Sequence, residues 1–204
     1  SRGRSSQRKE HTVRKLTVDD ITDLRAYERE RAEFRASIIA LKQDRRIHLG
    51  ELMTVVFENR ETMRFQIQEM ARAERMLTDE QIAMEVAVYN GLLPDDGELT
   101  ATLFLELTSD ALLREWLPKL VGLQHHVSLD VAGVAVPARE IDEERLTRED
   151  ETTSSVHYLR FAVTPEQRAA FTAGPVTLRI DHPEYRAETV LTEGSRRSLA
   201  ADLA

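Results

Sequence analysis

The segment RRIHLGELMTVVFEN, residues 45–59, decides the fold because the spacing of apolar residues changes within it. Upstream of this segment the apolar side chains recur at helical spacing, whereas Ile47 and Leu49 alternate as they do in a strand. A turn at Gly50 follows, and after it comes the apolar run 53–57. Two short strands about a glycine turn predict a β-hairpin between two helical regions.

Helical patterns lie on both sides of this hairpin. Thr17 and Asp20 form a weak capping-box pattern, which predicts a short helix beginning near Val18. Asn59 is a suitable N-cap for the helix after the hairpin, and Thr78 is a suitable N-cap for the next one. The longer predicted helices cover approximately residues 27–45, 60–77, 78–89, 110–121 and 165–171.

Strand patterns dominate the second half of the chain. In ELTATLFLEL, residues 98–107, Leu99 and Leu103 share one face and Phe104 lies on the other. Two further strands flank Gly133, and three more are predicted in SVHYLRFAV, PVTLRI and YRAETVL. The sequence therefore predicts an α+β fold, in which a helical N-terminal half packs on a largely antiparallel sheet formed mostly by the C-terminal half.

The domain organisation follows from composition and charge. Residues 1–15 lack apolar periodicity and predict a disordered basic tail, and residues 193–204 predict a flexible C-terminal tail. Residues 16–192 predict a single domain. Its charged connector, residues 139–153, is a candidate helix and a candidate sub-boundary within that domain.

Net charge and residue usage exclude several classes of function. The formal net charge is -8, and because residues 1–15 carry +5, the rest of the chain carries -13. An acidic body argues against general nucleic-acid binding, which needs a basic surface. No stretch approaches the roughly 18 uncharged residues of a membrane span, so we expect a cytoplasmic protein. The chain has no cysteine, which excludes disulfides, thiolate catalysis and iron–sulfur ligation by its own residues.

Known templates for metal and hydrolytic sites are absent or incomplete. No histidine is followed by the glutamate of a zincin helix, and none has an acid three positions before it, as a di-iron bundle requires. We therefore predict neither a metal site nor a cofactor. Ser155 and His157 share a strand face, but their Cα atoms would be roughly 6.5 to 7 Å apart and no third group is evident. They are weaker catalytic candidates.

A polar helix is the stronger candidate site. The region 58–75 has an apolar stripe, but it also carries many side chains that can form several hydrogen bonds. If they are solvated, each ion pair contributes about 0 to 1 kcal/mol, whereas breaking a buried pair would cost roughly 3 to 5 kcal/mol. The sequence leaves both alternatives open. The candidate interaction or ligand residues are Glu58, Arg60, Gln66, Gln68, Glu69, Arg72 and Glu74.

Five motifs in order resemble a bacterial family, the domain of unknown function family 3501. They are KLTVDDI, YERERAEFRASIIALKQDRRIHLG, FENRETMRFQIQEMARAER, YNGLLPDDGELTATLFLEL and TSSVHYLRF, and the likeness runs from about Lys15 to about Leu191. The family has no assigned reaction, so the resemblance implies no catalytic residue. It does imply a context, because members are typically encoded beside a rubrerythrin and an iron–sulfur oxidoreductase of the heterodisulfide-reductase type.

The resemblance and the residues together predict a non-catalytic accessory or scaffold protein of a bacterial oxidative-stress redox module. Rubrerythrin and the iron–sulfur oxidoreductase are the expected partners, and the oligomeric state is left open. One alternative is a metal-dependent or hydrolytic enzyme that uses Ser155 and His157 with Glu69 or Glu74. Another is a small-molecule sensor with a pocket lined by Gln66, Gln68 and Arg72.

Overall fold

The computed structural model describes residues 14–141, 147–148 and 152–204. The helices in these ranges are α1 (Leu24–Arg45), α2 (Arg60–Glu74), α3 (Asp79–Asn90), α4 (Asp110–Lys119), α5 (Pro165–Ala173) and α6 (Glu193–Leu203). The strands are β1 (Arg46–Leu49), β2 (Met53–Glu58), β3 (Glu98–Leu105), β4 (Val127–Val131), β5 (Val134–Pro137), β6 (Arg139–Glu140), β7 (Thr147–Arg148), β8 (Thr152–Thr153), β9 (Val156–Ala162), β10 (Val176–His182) and β11 (Tyr185–Val190). Short 3-10 helices lie at Val18–Asp20 and Leu123–His125.

The predicted hairpin is confirmed, and it begins as soon as α1 ends. β1 pairs with β2 in antiparallel register, with Leu49 opposite Met53. Gly50 occupies the turn with φ +64°, where a Cβ atom would collide with the Tyr185 hydroxyl. A side chain at this position would therefore be strained both by the backbone conformation and by the neighbouring strand.

Two antiparallel sheets surround one core. The five-stranded sheet has the order β1-β2-β3-β9-β6, and the four-stranded sheet has the order β11-β10-β4-β5. A separate pair is formed by β7 and β8. Phe57 and Leu103 from the first sheet and Leu129 and Leu178 from the second belong to the same buried cluster. The α+β prediction is confirmed, because α1 to α3 precede residue 91 and β4 to β11 all follow residue 126.

A second apolar cluster holds the N-terminal helices together. Met63, Ile67 and Ala71 on α2 pack with Ile82 and Val86 on α3. The spacing of these residues is that of one helical face, so each helix buries a continuous stripe. This small helical layer positions the polar residues of α2 and also determines which face of α3 is left in solvent.

The predicted flexible tail at 193–204 is wrong, because these residues form α6. Thr192 caps the helix, and Leu199 and Leu203, four residues apart, are buried in the main core. The buried guanidinium of Arg45 also binds this helix through the Asp202 carboxylate. Two apolar residues among small and charged neighbours are a weak sequence signal for a helix, so the tertiary contacts decide the outcome.

Two other predicted segments, the basic tail and the charged connector, are only partly within the described residues. Most of the predicted basic tail, residues 1–13, lies outside them, although Arg14 bonds Asp20 and Lys15 bonds Asp95. In the connector 139–153, the described parts are short strands where the sequence suggested a helix. Since β6 pairs with β9, the start of this connector and the strand that follows it share one sheet.

Among the described helices, none combines the length and the apolar character needed to cross a membrane.

Candidate functional site

Glu58 lies at the end of β2 and is buried, with 2% of the residue exposed. The Thr62 hydroxyl donates to one carboxylate oxygen at 2.5 Å, and the Thr102 hydroxyl donates to the other at 2.9 Å. Within the described residues, no cationic side chain bonds this carboxylate. Glu58 is therefore held by α2 and β3, in contacts that join the helix to the sheet beneath it.

Gln68 is fully buried and binds the backbone that leads into α1. Its side-chain oxygen accepts from the Thr22 backbone N–H at 2.7 Å, and its side-chain nitrogen donates to the Thr22 carbonyl at 3.1 Å. An unpaired buried backbone group is costly, so this pair of bonds fixes the segment before α1. The role of Gln68 is structural.

Glu69 forms a network with α1. The Tyr27 hydroxyl donates to it at 2.8 Å, and Arg31 donates through Nε at 3.0 Å and through Nη2 at 2.7 Å. These bonds to Arg31, together with that from Tyr27, hold the pKa of the Glu69 carboxyl below its usual range. Burial and the bond to Glu69 raise the pKa of Tyr27. The network joins α1 to α2.

The other candidates on α2 are dispersed. Arg60 pairs with Asp20 at 2.8 Å, and the exposed Arg72 pairs with Glu28 of α1. Gln66 is half-buried and Glu74 is exposed, and neither side chain is hydrogen-bonded to another described residue. Because Gln68 points into the core and Arg72 outward, the polar residues of α2 mostly bind neighbouring elements and do not line a common pocket.

Glu69→Gln is expected to change how stability depends on pH. A carboxyl with a lowered folded pKa stabilises the fold above its unfolded pKa, about 4.3, and this contribution is lost as pH falls through the folded pKa. The variant should therefore be less stable by about 1 kcal/mol at pH 7, and the difference should shrink below about pH 4. Urea unfolding between pH 7 and 2.5 measures it. Glu74→Gln is the matched control and should show no such trend.

His157 is the centre of a buried polar cluster. Its Nδ1 lies 3.2 Å from a carboxylate oxygen of Glu140, and both side chains are almost completely buried. Its Nε2 lies 2.8 Å from the Ser154 carbonyl and 3.0 Å from the Thr153 hydroxyl. The second Glu140 oxygen is buried and has no hydrogen-bond partner in the described residues. One imidazole thus binds both ends of the connector.

The geometry determines where the protons lie. A carbonyl can only accept, so Nε2 carries hydrogen and donates to Ser154. With hydrogen on Nε2, Nδ1 and the Glu140 carboxyl form a hydrogen bond only when one of the two also carries a proton. Because Nε2 is already protonated, it cannot take a proton from Thr153, and His157 does not act as a base toward this hydroxyl.

The sequence identified His157 but not its partners. Ser155, its proposed nucleophile, contributes a backbone carbonyl to Leu105, and its hydroxyl has no hydrogen bond to His157. Glu140 supplies the third group that the sequence lacked. It lies 17 residues before His157 within the charged connector, so local spacing could not have found it.

α3 has an apolar outer face as well as an apolar inner one. Ile82 and Val86 are buried, yet Met84 and Val88 are 69% and 53% exposed, and Leu77, which lies two residues before the helix, is 81% exposed. Ala83 and Ala87 are exposed between them. We call these five exposed residues the α3 face. A helix that is apolar on both sides is normally covered on both sides, so the uncovered α3 face departs from the usual pattern.

A groove lies beside the α3 face, between the first 3-10 helix and the α2–α3 turn. Its volume is about 320 Å³. The apolar side chains that line it include Ile21, Leu24, Met76 and Ile82, and Leu77 stands at its edge. Across the described residues, by contrast, no three acidic or histidine side chains converge in a way that could hold a metal ion.

The family model described as "Protein of unknown function (DUF3501)" matches residues 15–203. The chain belongs to this family. It is also similar to a novel protein of unknown function from Burkholderia pseudomallei K96243, known from a crystal structure. The two chains are 34% identical with a TM-score of 0.85, and the match covers 94% of this DUF3501 chain and 100% of the other. None of the curated proteins matches.

Proposed function

We propose that this protein is a non-catalytic accessory or scaffold protein that binds a partner protein through the α3 face. The observation that supports it is the exposure of Met84 and Val88, which lie four residues apart on α3, and of Leu77 just before the helix begins. The spacing of Met84 and Val88 puts both side chains on one face of the helix, as in helices that dock into an apolar groove of a partner. Covering this face would give α3 the burial that its composition favours.

Charge favours a different protein over a second copy as the occupant. Residues 16–204 carry a net charge of -13, so two copies would repel each other at any distance that the ionic strength does not screen. A partner with a basic rim around an apolar groove would instead be attracted during encounter. The proposed occupant is therefore a partner with such a groove and rim.

The redox module is proposed from the family resemblance. In this proposal the partner in the bacterial cytoplasm is rubrerythrin or the iron–sulfur oxidoreductase. A chain without cysteine has no iron–sulfur ligands of its own, so electron transfer would belong to those neighbours. The closed His157 cluster is consistent with a role outside catalysis, because its imidazole is buried and Nε2 already donates to a backbone carbonyl.

Isothermal titration calorimetry of the purified chain with each redox protein from the same bacterium tests this proposal. We expect one of the two to bind, and Met84→Arg with Val88→Arg to weaken binding at least tenfold, that is by about 1.4 kcal/mol. Arginine keeps a good helix propensity but places a charge where the partner is apolar and basic.

Val134→Arg is the matched control. Val134 lies on β5 and is 55% exposed, close to the 53% of Val88, but its strand is at the edge of the four-stranded sheet and contacts β4 and β9. The control should bind as wild type does, and unfolding midpoints should agree among all variants. If neither redox protein binds, the assignment of partners is wrong. If the α3 variants bind normally, the interaction surface is wrong.

A further inference from the structure

The groove beside the α3 face is lined by apolar side chains and, at its edge, by acidic ones. Met76 and Ile82 form part of its apolar lining, whereas Asp19, Asp23 and Asp79 line it with exposed carboxylates. A volume of about 320 Å³ lies at the small end of the range for ligand sites, roughly 300 to 1,000 Å³. It suits one or two side chains of a peptide better than a large cofactor.

The edge carboxylates are not neutralised by the protein itself. Asp23 accepts from the Ala26 N–H as the N-cap of α1, and no ion pair is formed by Asp19, Asp23 or Asp79 with any residue in the described ranges. The nearby Asp20 differs, because it pairs with Arg14 at 2.7 Å and with Arg60. The Thr17 backbone N–H and Arg60 lower the pKa of Asp20 to about 2.

Apolar side chains beside carboxylates that have no cationic partner among the described residues favour a ligand with both aliphatic and cationic groups. An aliphatic side chain would gain about 25 cal/mol for each Å² that it buries in the groove. A cationic group beside it would approach the three carboxylates at a distance where salt screens only part of the attraction. Arg75, in the α2–α3 turn, is exposed but does not line the groove. Among the described residues, no cationic side chain therefore lines the groove or pairs with its three edge carboxylates.

We propose that the groove receives a short segment of the partner protein, in which an aliphatic side chain is flanked by arginine or lysine. The inference rests on the proposed function, because Leu77 belongs both to the groove and to the α3 face. The partner would then make two contacts. A groove on the partner would cover the α3 face, and a basic segment of the partner would enter the groove of this chain.

Fluorescence anisotropy with three labelled peptides tests the chemistry on the full chain. The probes are Gly-Arg-Leu-Arg-Gly, Gly-Arg-Gly-Arg-Gly and Gly-Gln-Leu-Gln-Gly. We expect the first to bind at least tenfold more tightly than either of the others. Equal binding of the second would show that charge alone acts, and equal binding of the third would show that the carboxylates are irrelevant. Either result overturns the proposal.

The site is tested with Asp19→Asn, Asp23→Asn and Asp79→Asn together. Asparagine retains the cap of α1, so the fold should be preserved. We expect about tenfold weaker binding of the first peptide, and a smaller difference at 0.5 M salt. The matched control removes three exposed acids elsewhere, by Glu51→Gln, Glu106→Gln and Glu184→Gln, and should bind as wild type does.

Two outcomes separate this inference from the proposed function. If the peptides fail to discriminate while the α3 variants still lose a redox partner, the groove proposal falls and the function stands. If the redox proteins fail to bind while the peptides discriminate, the partner assignment falls and the groove retains its specificity. Self-association of the chain that the Asp19, Asp23 and Asp79 variant abolishes would assign the groove to a second copy and overturn the proposal.

Discussion

Replacing Arg45 by alanine is expected to lower the free energy of unfolding by about 3 to 5 kcal/mol. The Arg45 side chain is 1% exposed, donates to the Phe57 carbonyl at 2.9 Å and pairs with the Asp202 carboxylate. Its removal leaves that carboxylate, 13% exposed, without a cation, and it leaves backbone carbonyls without a donor. The expected loss is large because several polar groups lose their common partner at once.

Urea unfolding at pH 7 measures this loss, and the control is Arg197→Ala on α6, the helix that carries Asp202. Arg197 is 73% exposed and lies 3.8 Å from Glu193, so its removal should change stability by less than about 1 kcal/mol. Arg45→Lys should fall between the two, because lysine keeps the charge but not the planar fork of donors. Equal losses for Arg45→Ala and Arg197→Ala would contradict the structural role of Arg45.

His157→Ala should destabilise the fold by a similar amount, about 3 to 5 kcal/mol. Glu140 would lose its partner while its side chain stays 1% exposed, and its second oxygen has no bond to compensate. The Ser154 carbonyl and the Thr153 hydroxyl would also lose their contact with Nε2. Differential scanning calorimetry and urea unfolding both measure the effect.

Glu140→Gln separates hydrogen bonding from charge in this cluster. A glutamine amide can donate to Nδ1 of a neutral imidazole whose Nε2 still donates to Ser154. We therefore expect Glu140→Gln to be within about 1 kcal/mol of wild type. A loss as large as that of His157→Ala would contradict this expectation and show that the negative charge of Glu140 is required.

The elements with strong local signals could be predicted from the sequence. The hairpin at 46–58 follows from alternation about Gly50, and the helices after it begin where Asn59 and Thr78 provide caps. These signals are local, because a turn and a cap are each decided within about four residues. α6 has few such signals beyond its cap, and its formation depends on contacts with distant residues.

The candidate site was only partly accessible to sequence reasoning. Helical spacing identified the polar residues of α2, but it could not distinguish the buried Gln68 from the exposed Arg72, since both are compatible with a helix flank. Whether a residue of α2 is buried depends on which other elements pack against that face of the helix, and these elements are distant in the sequence. The exposure of Met84 and Val88 was missed for the same reason, because an apolar residue in a helix is usually assigned to the core.

The contact between Arg45 and Asp202 also bears on folding during synthesis. The two residues are 157 positions apart, and at about 5 to 20 residues per second the ribosome needs roughly 8 to 30 seconds to add the second. Until then, the surfaces of α1 and β3 that α6 covers remain open, and the Arg45 guanidinium has no anionic partner. A nascent chain in this state would be a natural client for a ribosome-associated chaperone.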